Sequence, residues 1–262
     1  MCNRRAPSPH RIEALEPRRL LAVATWDGGG ANNFWTTPEN WAGDVAPLPG
    51  DELRFDGTVR TSTSNDFPAG TPFHSLSTSS NFLLGGNGIS LAAGYTTSAA
   101  ETRLMLPITL TADQTFSGTG ATVIGAVIET GGRVLTLRGS FGVSGLFAGS
   151  GAVVVDGGPA DVVLYESAHL NNGGTTVRGG TLRTLVHQRG SSLITVTGGT
   201  LHATSFLPDV RVEGGIFTPG GDAPASATIS TARMGPPPGS GLWMADPAAL
   251  RLDLDGPTEG SG

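Results

Sequence analysis

Short runs of alternating apolar and polar residues, separated by glycine and other turn residues, fill most of the chain after residue 24. Representative runs are Glu52–Phe55, Ile89–Leu91, Ile108–Leu110, 133–137 and 152–155. Because successive side chains of a β-strand point to opposite sides, these runs predict short strands with one buried side. Helical periodicity is nearly absent after residue 22, so the pattern predicts an all-β fold.

One phrase, a short strand followed by two glycines and a second strand, occurs three times, at 176–182, 195–201 and 211–217. The copies begin 19 and 16 residues apart. A unit of this size cannot bury its own hydrophobic side and is stable only when it stacks on similar units. The repeat therefore predicts a β-solenoid, a parallel β-helix in which each copy forms part of one coil.

The glycine pairs of the repeat are predicted to form the corners of the coil. They are Gly179 with Gly180, Gly198 with Gly199, and Gly214 with Gly215. A solenoid turns sharply between its faces, and glycine accepts positive φ and close approach of the neighbouring coil.

Three of the four tryptophans lie near the start of the predicted domain, at Trp26, Trp35 and Trp41. A solenoid must close its open hydrophobic end, and its terminal repeats are atypical for that reason. We therefore predict a solenoid domain over 25–262 with a Trp-rich N-terminal cap at about 25–57. The alternative is that the flat rings form a platform for binding sugars.

Residues 1–24 are predicted to form a separate N-terminal tail, disordered or with a short helix. Its apolar stretch, 20–24, is shorter and later than that of an ordinary secretory signal. The residues Leu15, Glu16, Pro17, Arg18, Leu20 and Leu21 resemble the LEPR-x-LL motif of many large planctomycete surface and exported proteins. The resemblance implies a sorting motif and an extracellular or cell-surface location.

Composition and charge narrow the function classes. Glycine contributes 40 of 262 residues, and all 16 basic residues are arginine, which excludes lysine-based catalysis. Residues 1–22 carry a net charge of +3 and the remainder −9, with no basic stripe, so nucleic acid is not an expected partner. Cys2 is the only cysteine, and no apolar run is long enough to span a membrane.

Few residues suggest a catalytic or metal-binding role. The five histidines are scattered, although His187 and His202 lie about one coil apart. The 253–256 segment is too close to the end of the sequence for a calcium loop of the EF-hand type. Asp156, Asp161 and Glu166 are the candidate carboxylates for glycoside cleavage, which needs two of them across the scissile bond. A solvated loop explains these three residues equally well. No cofactor or metal site is predicted.

Several segments together resemble the autotransporter-associated β-strand repeat proteins: 26–30, 40–41, 49–51, 172–182, 217–221 and 250–256. The resemblance covers nearly all of 25–262 and implies a right-handed parallel β-helix. Members of that family are often far longer, so the domain is expected to be truncated at its C-terminal side. No C-terminal membrane barrel is recognisable, and autotransport by this chain is not expected.

The sequence thus predicts a non-catalytic, elongated surface or secreted β-solenoid that acts as a structural spacer, adhesin or matrix protein. A glycan or another cell-surface protein is the expected partner, and self-association through an open C-terminal strand edge is also expected. Two alternatives stay open. One is a β-helical polysaccharide lyase or hydrolase, and the other is a non-functional fragment of a larger repeat protein.

Overall fold

The computed structural model describes residues 21–157, 161–164, 169–171, 173–185, 193–203, 210–219, 242–244 and 249–250. Over these ranges the chain is an all-β solenoid of parallel sheets, which confirms the predicted fold class. The helical segment in the described ranges is a single 3-10 turn, Pro38–Asn40.

The first thirteen strands run along the chain as follows: β1 (Val23–Trp26), β2 (Glu52–Phe55), β3 (Ser62–Asn65), β4 (Thr71–Phe73), β5 (Leu76–Thr78), β6 (Leu83–Gly86), β7 (Ile89–Leu91), β8 (Tyr95–Thr97), β9 (Glu101–Leu104), β10 (Ile108–Leu110), β11 (Gln114–Ile124), β12 (Ile128–Glu129) and β13 (Leu135–Val143). The others are β14 (Leu146–Ala148), β15 (Val153–Val155), β16 (Asp161–Leu164), β17 (His169–Asn171), β18 (Thr175–Val177), β19 (Thr181–Thr184), β20 (Ile194–Val196), β21 (Thr200–Ala203), β22 (Val210–Val212), β23 (Ile216–Pro219), β24 (Leu242–Met244) and β25 (Ala249–Leu250).

These strands stack into three faces, each strand pairing in parallel with its counterpart in the next coil. Face 1 contains β1, β2, β5, β8, the first parts of β11 and β13, β15, β18, β20, β22 and β24. Face 2 contains β3, β6, β9, the last parts of β11 and β13, β16, β19, β21, β23 and β25. Face 3 contains β4, β7, β10, β12, β14 and β17.

The three glycine phrases of the sequence stack directly on one another. On face 1, Thr176 pairs with Thr195, which pairs with Arg211. On face 2, Leu182 pairs with Leu201. The spacings of 19 and 16 residues are therefore the lengths of two successive coils. The shorter coil keeps the same register on both faces.

The core is built from columns of buried side chains that run along the solenoid. The longest described column contains Leu53, Leu76, Tyr95, Phe116, Leu137, Val155, Val177, Val196 and Val212. Each of these side chains is at most 1% exposed. With about 4.8 Å between neighbouring strands, the column extends over roughly 38 Å. Burial of this continuous apolar column is the main stabilising contribution of the fold.

The N-terminal end of the solenoid is covered by the chain itself. Residues around Trp41 form an antiparallel bridge with β1, which is the first strand of face 1. Phe34 bridges to Ser64 on the first strand of face 2, and the Gly50 N–H donates to the carbonyl of Pro72 on face 3 (2.7 Å). Each of the three N-terminal strand edges thus has a hydrogen-bond partner within the chain, which disfavours pairing with another chain at this end.

The solenoid begins at β1, two residues before the predicted boundary at residue 25. Of the sorting-motif residues, Leu21 is described and about half exposed. Leu15, Glu16, Pro17, Arg18 and Leu20 lie outside the described residues, as does the 253–256 segment.

Candidate functional site

The tryptophan rings do not form a sugar-binding platform. Trp26, Trp35 and Trp41 are fully buried, and their rings pack around Phe55 at centroid distances of 5.2–5.8 Å. Each indole N–H donates a hydrogen bond, to the Val59 carbonyl, the Thr63 hydroxyl and the Trp35 carbonyl respectively. A ring in this position is unable to stack on a ligand, so the platform alternative is wrong for these three residues.

A buried asparagine organises the loop that carries the tryptophans. The Asn40 side chain accepts a hydrogen bond from the Gly30 N–H (3.0 Å) and donates to the carbonyls of Asn32 and Phe34. It is fully buried, so its amide replaces water for three backbone groups that strand pairing does not satisfy. Asn40 belongs to the 40–41 segment that carries the family resemblance, but the local sequence did not predict that its side chain is buried.

The glycine pairs lie where face 1 passes into face 2. The second residue of each pair has positive φ: 73° at Gly180, 75° at Gly199 and 81° at Gly215. A Cβ atom added at Gly198 or Gly214 would lie 2.5–2.7 Å from a carbonyl oxygen of the preceding coil. The first glycine thus meets a steric requirement, whereas Gly199 and Gly215, the second glycines of their pairs, meet a conformational and a steric requirement together.

The two described candidate carboxylates lie on different faces. Asp156 follows β15 on face 1 and pairs with Arg138 (2.9 Å), whereas Asp161 begins β16 on face 2 and pairs with Arg183 (3.0 Å). Glycoside cleavage needs two carboxylates that face one bond. Asp156 and Asp161 are each paired with an arginine instead of with one another, and Glu166 lies outside the described residues.

We expect Asp156→Asn and Asp161→Asn each to change the free energy of unfolding by less than about 1 kcal/mol, because solvent-exposed ion pairs contribute little. Urea unfolding followed by circular dichroism measures the change. A loss of about 3 kcal/mol or more would mean that these carboxylates support buried structure.

Of the two histidines proposed to approach one another, one is described. His202 lies on β21, paired with Arg183 and Thr218 on the neighbouring strands, while His187 lies outside the described residues. Within the described ranges, no group of three or more His, Cys, Asp and Glu side chains is placed to hold a metal ion.

A buried cluster of hydroxyl groups, which the sequence analysis missed, lies between faces 1 and 2. The Thr78 hydroxyl donates to Thr97 (2.7 Å) and lies 3.0 Å from that of Thr102. The Tyr95 hydroxyl lies 3.3 Å from that of Thr122. These side chains satisfy one another inside the core, so the cluster is structural. Its sequence signal is threonine at an inward position, two residues after Leu76 and Tyr95.

The outer surface of face 1 carries a column of hydroxyl groups. The column contains Thr115, Thr136, Thr176 and Thr195, with the buried Val154 between Thr136 and Thr176 and with Arg211 after Thr195. A shallow groove at its N-terminal end is lined by Asp113, Thr115 and Thr136, among others. Threonine hydroxyls both donate and accept hydrogen bonds, which suits a polar partner.

These observations define the class of protein as a capped parallel β-solenoid. Comparison of the chain with protein-family models, curated proteins and solved structures finds no match. No helix in the part of the chain that the structure describes has the length and apolar character needed to cross a membrane.

Proposed function

We propose that this chain is a non-catalytic, elongated β-solenoid that acts at the cell surface or in the extracellular matrix as a spacer or adhesin. The observation that carries the proposal is the uninterrupted buried column from Leu53 to Val212. It makes a rod whose stability is a sum of contacts between neighbouring coils, so the outward side chains are left available for contact with other molecules.

The outward charges support a surface role over a catalytic one. Arg138 pairs with Asp156, which lies one coil further along the rod. Asp161 pairs with Arg183, which also lies one coil further along the rod. Each of these carboxylates is thus paired with an arginine on a neighbouring strand. On face 1, Thr115 and Thr136 form one pair of neighbouring hydroxyl groups about 4.8 Å apart, and Thr176 and Thr195 form a second pair beyond the buried Val154. We propose that this column contacts a glycan or a cell-surface protein.

Export is the second part of the proposal and depends on the motif that contains Leu15, Glu16, Pro17, Arg18, Leu20 and Leu21. If the motif directs export, protease added to intact cells should release peptides from residues 25–262, detected by mass spectrometry. Glycan-binding assays on the purified chain would follow.

Two controls make the result decisive. A cytoplasmic marker protein must stay intact, and a chain with Leu20→Ala and Leu21→Ala should give fewer surface peptides than the wild type. Peptides seen only after lysis would contradict surface display. Release of reducing ends from a polysaccharide by the purified chain would contradict the non-catalytic role.

A further inference from the structure

The outer surface of face 2 carries two parallel columns with different charge. The first column contains Glu101, Ala121, Ser140, Asp161, Thr181 and Thr200. The second column contains Arg103, Val123, Gly142, Val163, Arg183 and His202. The acidic residues thus lie in the first column and the arginines in the second.

Two ion pairs lie on this surface, one on β9 and one between β16 and β19. Glu101 and Arg103 are two residues apart on β9, with 2.7 Å between their charged atoms. Asp161 and Arg183 are on adjacent strands at 3.0 Å. All four side chains are at least 30% exposed, so they remain accessible to a partner.

Small side chains lie between the two ion pairs. Ala121 and Ser140 are exposed, Gly142 is half-buried, and Val123 and Val163 are the largest groups of this stretch. Such a surface is flat, so a second flat sheet can approach it closely. Packed sheets lie about 10 Å apart.

We propose that face 2 binds face 2 of a second copy of this chain, with the two rods side by side and parallel. Two-fold symmetry requires a self-complementary surface. A two-fold axis parallel to the rods places each strand opposite the same strand of the other copy and exchanges the two columns. Glu101 then faces Arg103 of the second copy, and Arg103 faces its Glu101.

The same rotation places the second ion pair near its copy, but not directly opposite. Asp161 lies opposite Val163 of the second copy and one strand away from its Arg183. The alternative two-fold axis, along the strands, reverses one rod and places Arg103 opposite Arg183 of the second copy. That arrangement brings like charges together, so the charge pattern selects the parallel dimer.

The area of face 2 sets the expected affinity of the dimer. Nine strands from β3 to β23, spaced by about 4.8 Å and roughly 13 Å wide, give about 500 Å² per copy. The total of about 1,000 Å² is at the lower limit for a specific interface. The dimer should therefore form in a concentration-dependent way.

Sedimentation velocity of the full chain over a range of concentrations tests the interface. Glu101→Arg and Arg103→Glu should each raise the Kd of the dimer by about tenfold or more, because each places like charges opposite one another twice. Mixing the two variants should restore dimers, since positions 101 and 103 that face one another across the mixed dimer then carry opposite charges. Arg138→Glu, at an exposed ion pair on face 1, is the matched control and should leave the Kd unchanged.

The outcomes separate this proposal from other modes of association. X-ray scattering should show a dimer with the same maximum dimension as the monomer, whereas an end-to-end dimer would nearly double it. A wild-type chain that stays monomeric at several hundred micromolar overturns the proposal. It is also overturned if the folded single variants dimerise like the wild type, or if their mixture stays monomeric.

Discussion

Trp35→Ala should lower the free energy of unfolding by about 3–5 kcal/mol, the usual cost of removing a large buried aromatic side chain. The Trp35 ring packs against Phe55 and Phe73, with centroid distances of 5.2 and 6.3 Å. Its N–H donates to the Thr63 hydroxyl at 2.9 Å. The substitution would leave both a cavity and a buried hydroxyl without this donor. Chemical denaturation followed by circular dichroism measures the loss.

Phe34→Ala is the matched control, because Phe34 is the adjacent aromatic residue and is 46% exposed. It should cost less than about 1 kcal/mol, as is usual for surface positions. In a solenoid the loss at Trp35 should also be local, since coils interact mainly with their neighbours. Hydrogen exchange should therefore increase first in β1 to β4. Equal effects of the two substitutions would contradict the assignment of Trp35 to the cap core.

The strands were predictable because their inward and outward residues alternate. Ile89–Leu91 and Ile108–Leu110 form strands with the predicted bounds, and Glu52–Phe55 buries Leu53 and Phe55 as the pattern requires. The repeat phrase predicted that coils stack, but the register, in which Leu182 pairs with Leu201, came from the structure.

The corners were harder to predict, since a local pattern does not show where the chain changes face. The run 123–128 is almost entirely apolar and favours a single strand, but β11 ends at Ile124 and a corner follows before β12. Conversely, β13 continues from face 1 into face 2 past Gly139, with φ at 141°. Both outcomes depend on the neighbouring coil, which the local sequence does not contain.

Predicting the candidate site also required knowing which residues lie next to one another in neighbouring coils. Asp156 and Asp161 are five residues apart and looked like one cluster, yet the corner between them places the two carboxylates on different faces. The charge columns of face 2 show the opposite relation, in which residues distant in sequence lie in one column. Glu101 and Asp161 are 60 residues apart in sequence and share one column, which only the stacking register reveals.

Gly199→Ala should destabilise the chain by about 3 kcal/mol, because two costs add at this corner. Gly199 has a φ of 75°, which is strained for any residue with a Cβ. The added Cβ would also lie 2.6 Å from the Gly180 carbonyl oxygen. That oxygen accepts the Thr200 N–H at 2.9 Å, so relieving the clash would weaken a hydrogen bond between coils.

Gly70→Ala separates the two costs. Gly70 is also at a corner with a φ of 83°, but an added Cβ there meets no atom within 4 Å. It should cost about 1 kcal/mol, the conformational cost alone. The difference between the two variants in thermal or urea unfolding then measures how closely the coils stack. If Gly199→Ala cost no more than Gly70→Ala, the glycine pairs would serve only to turn the chain, and the close contact between coils would not limit which residue the corner accepts.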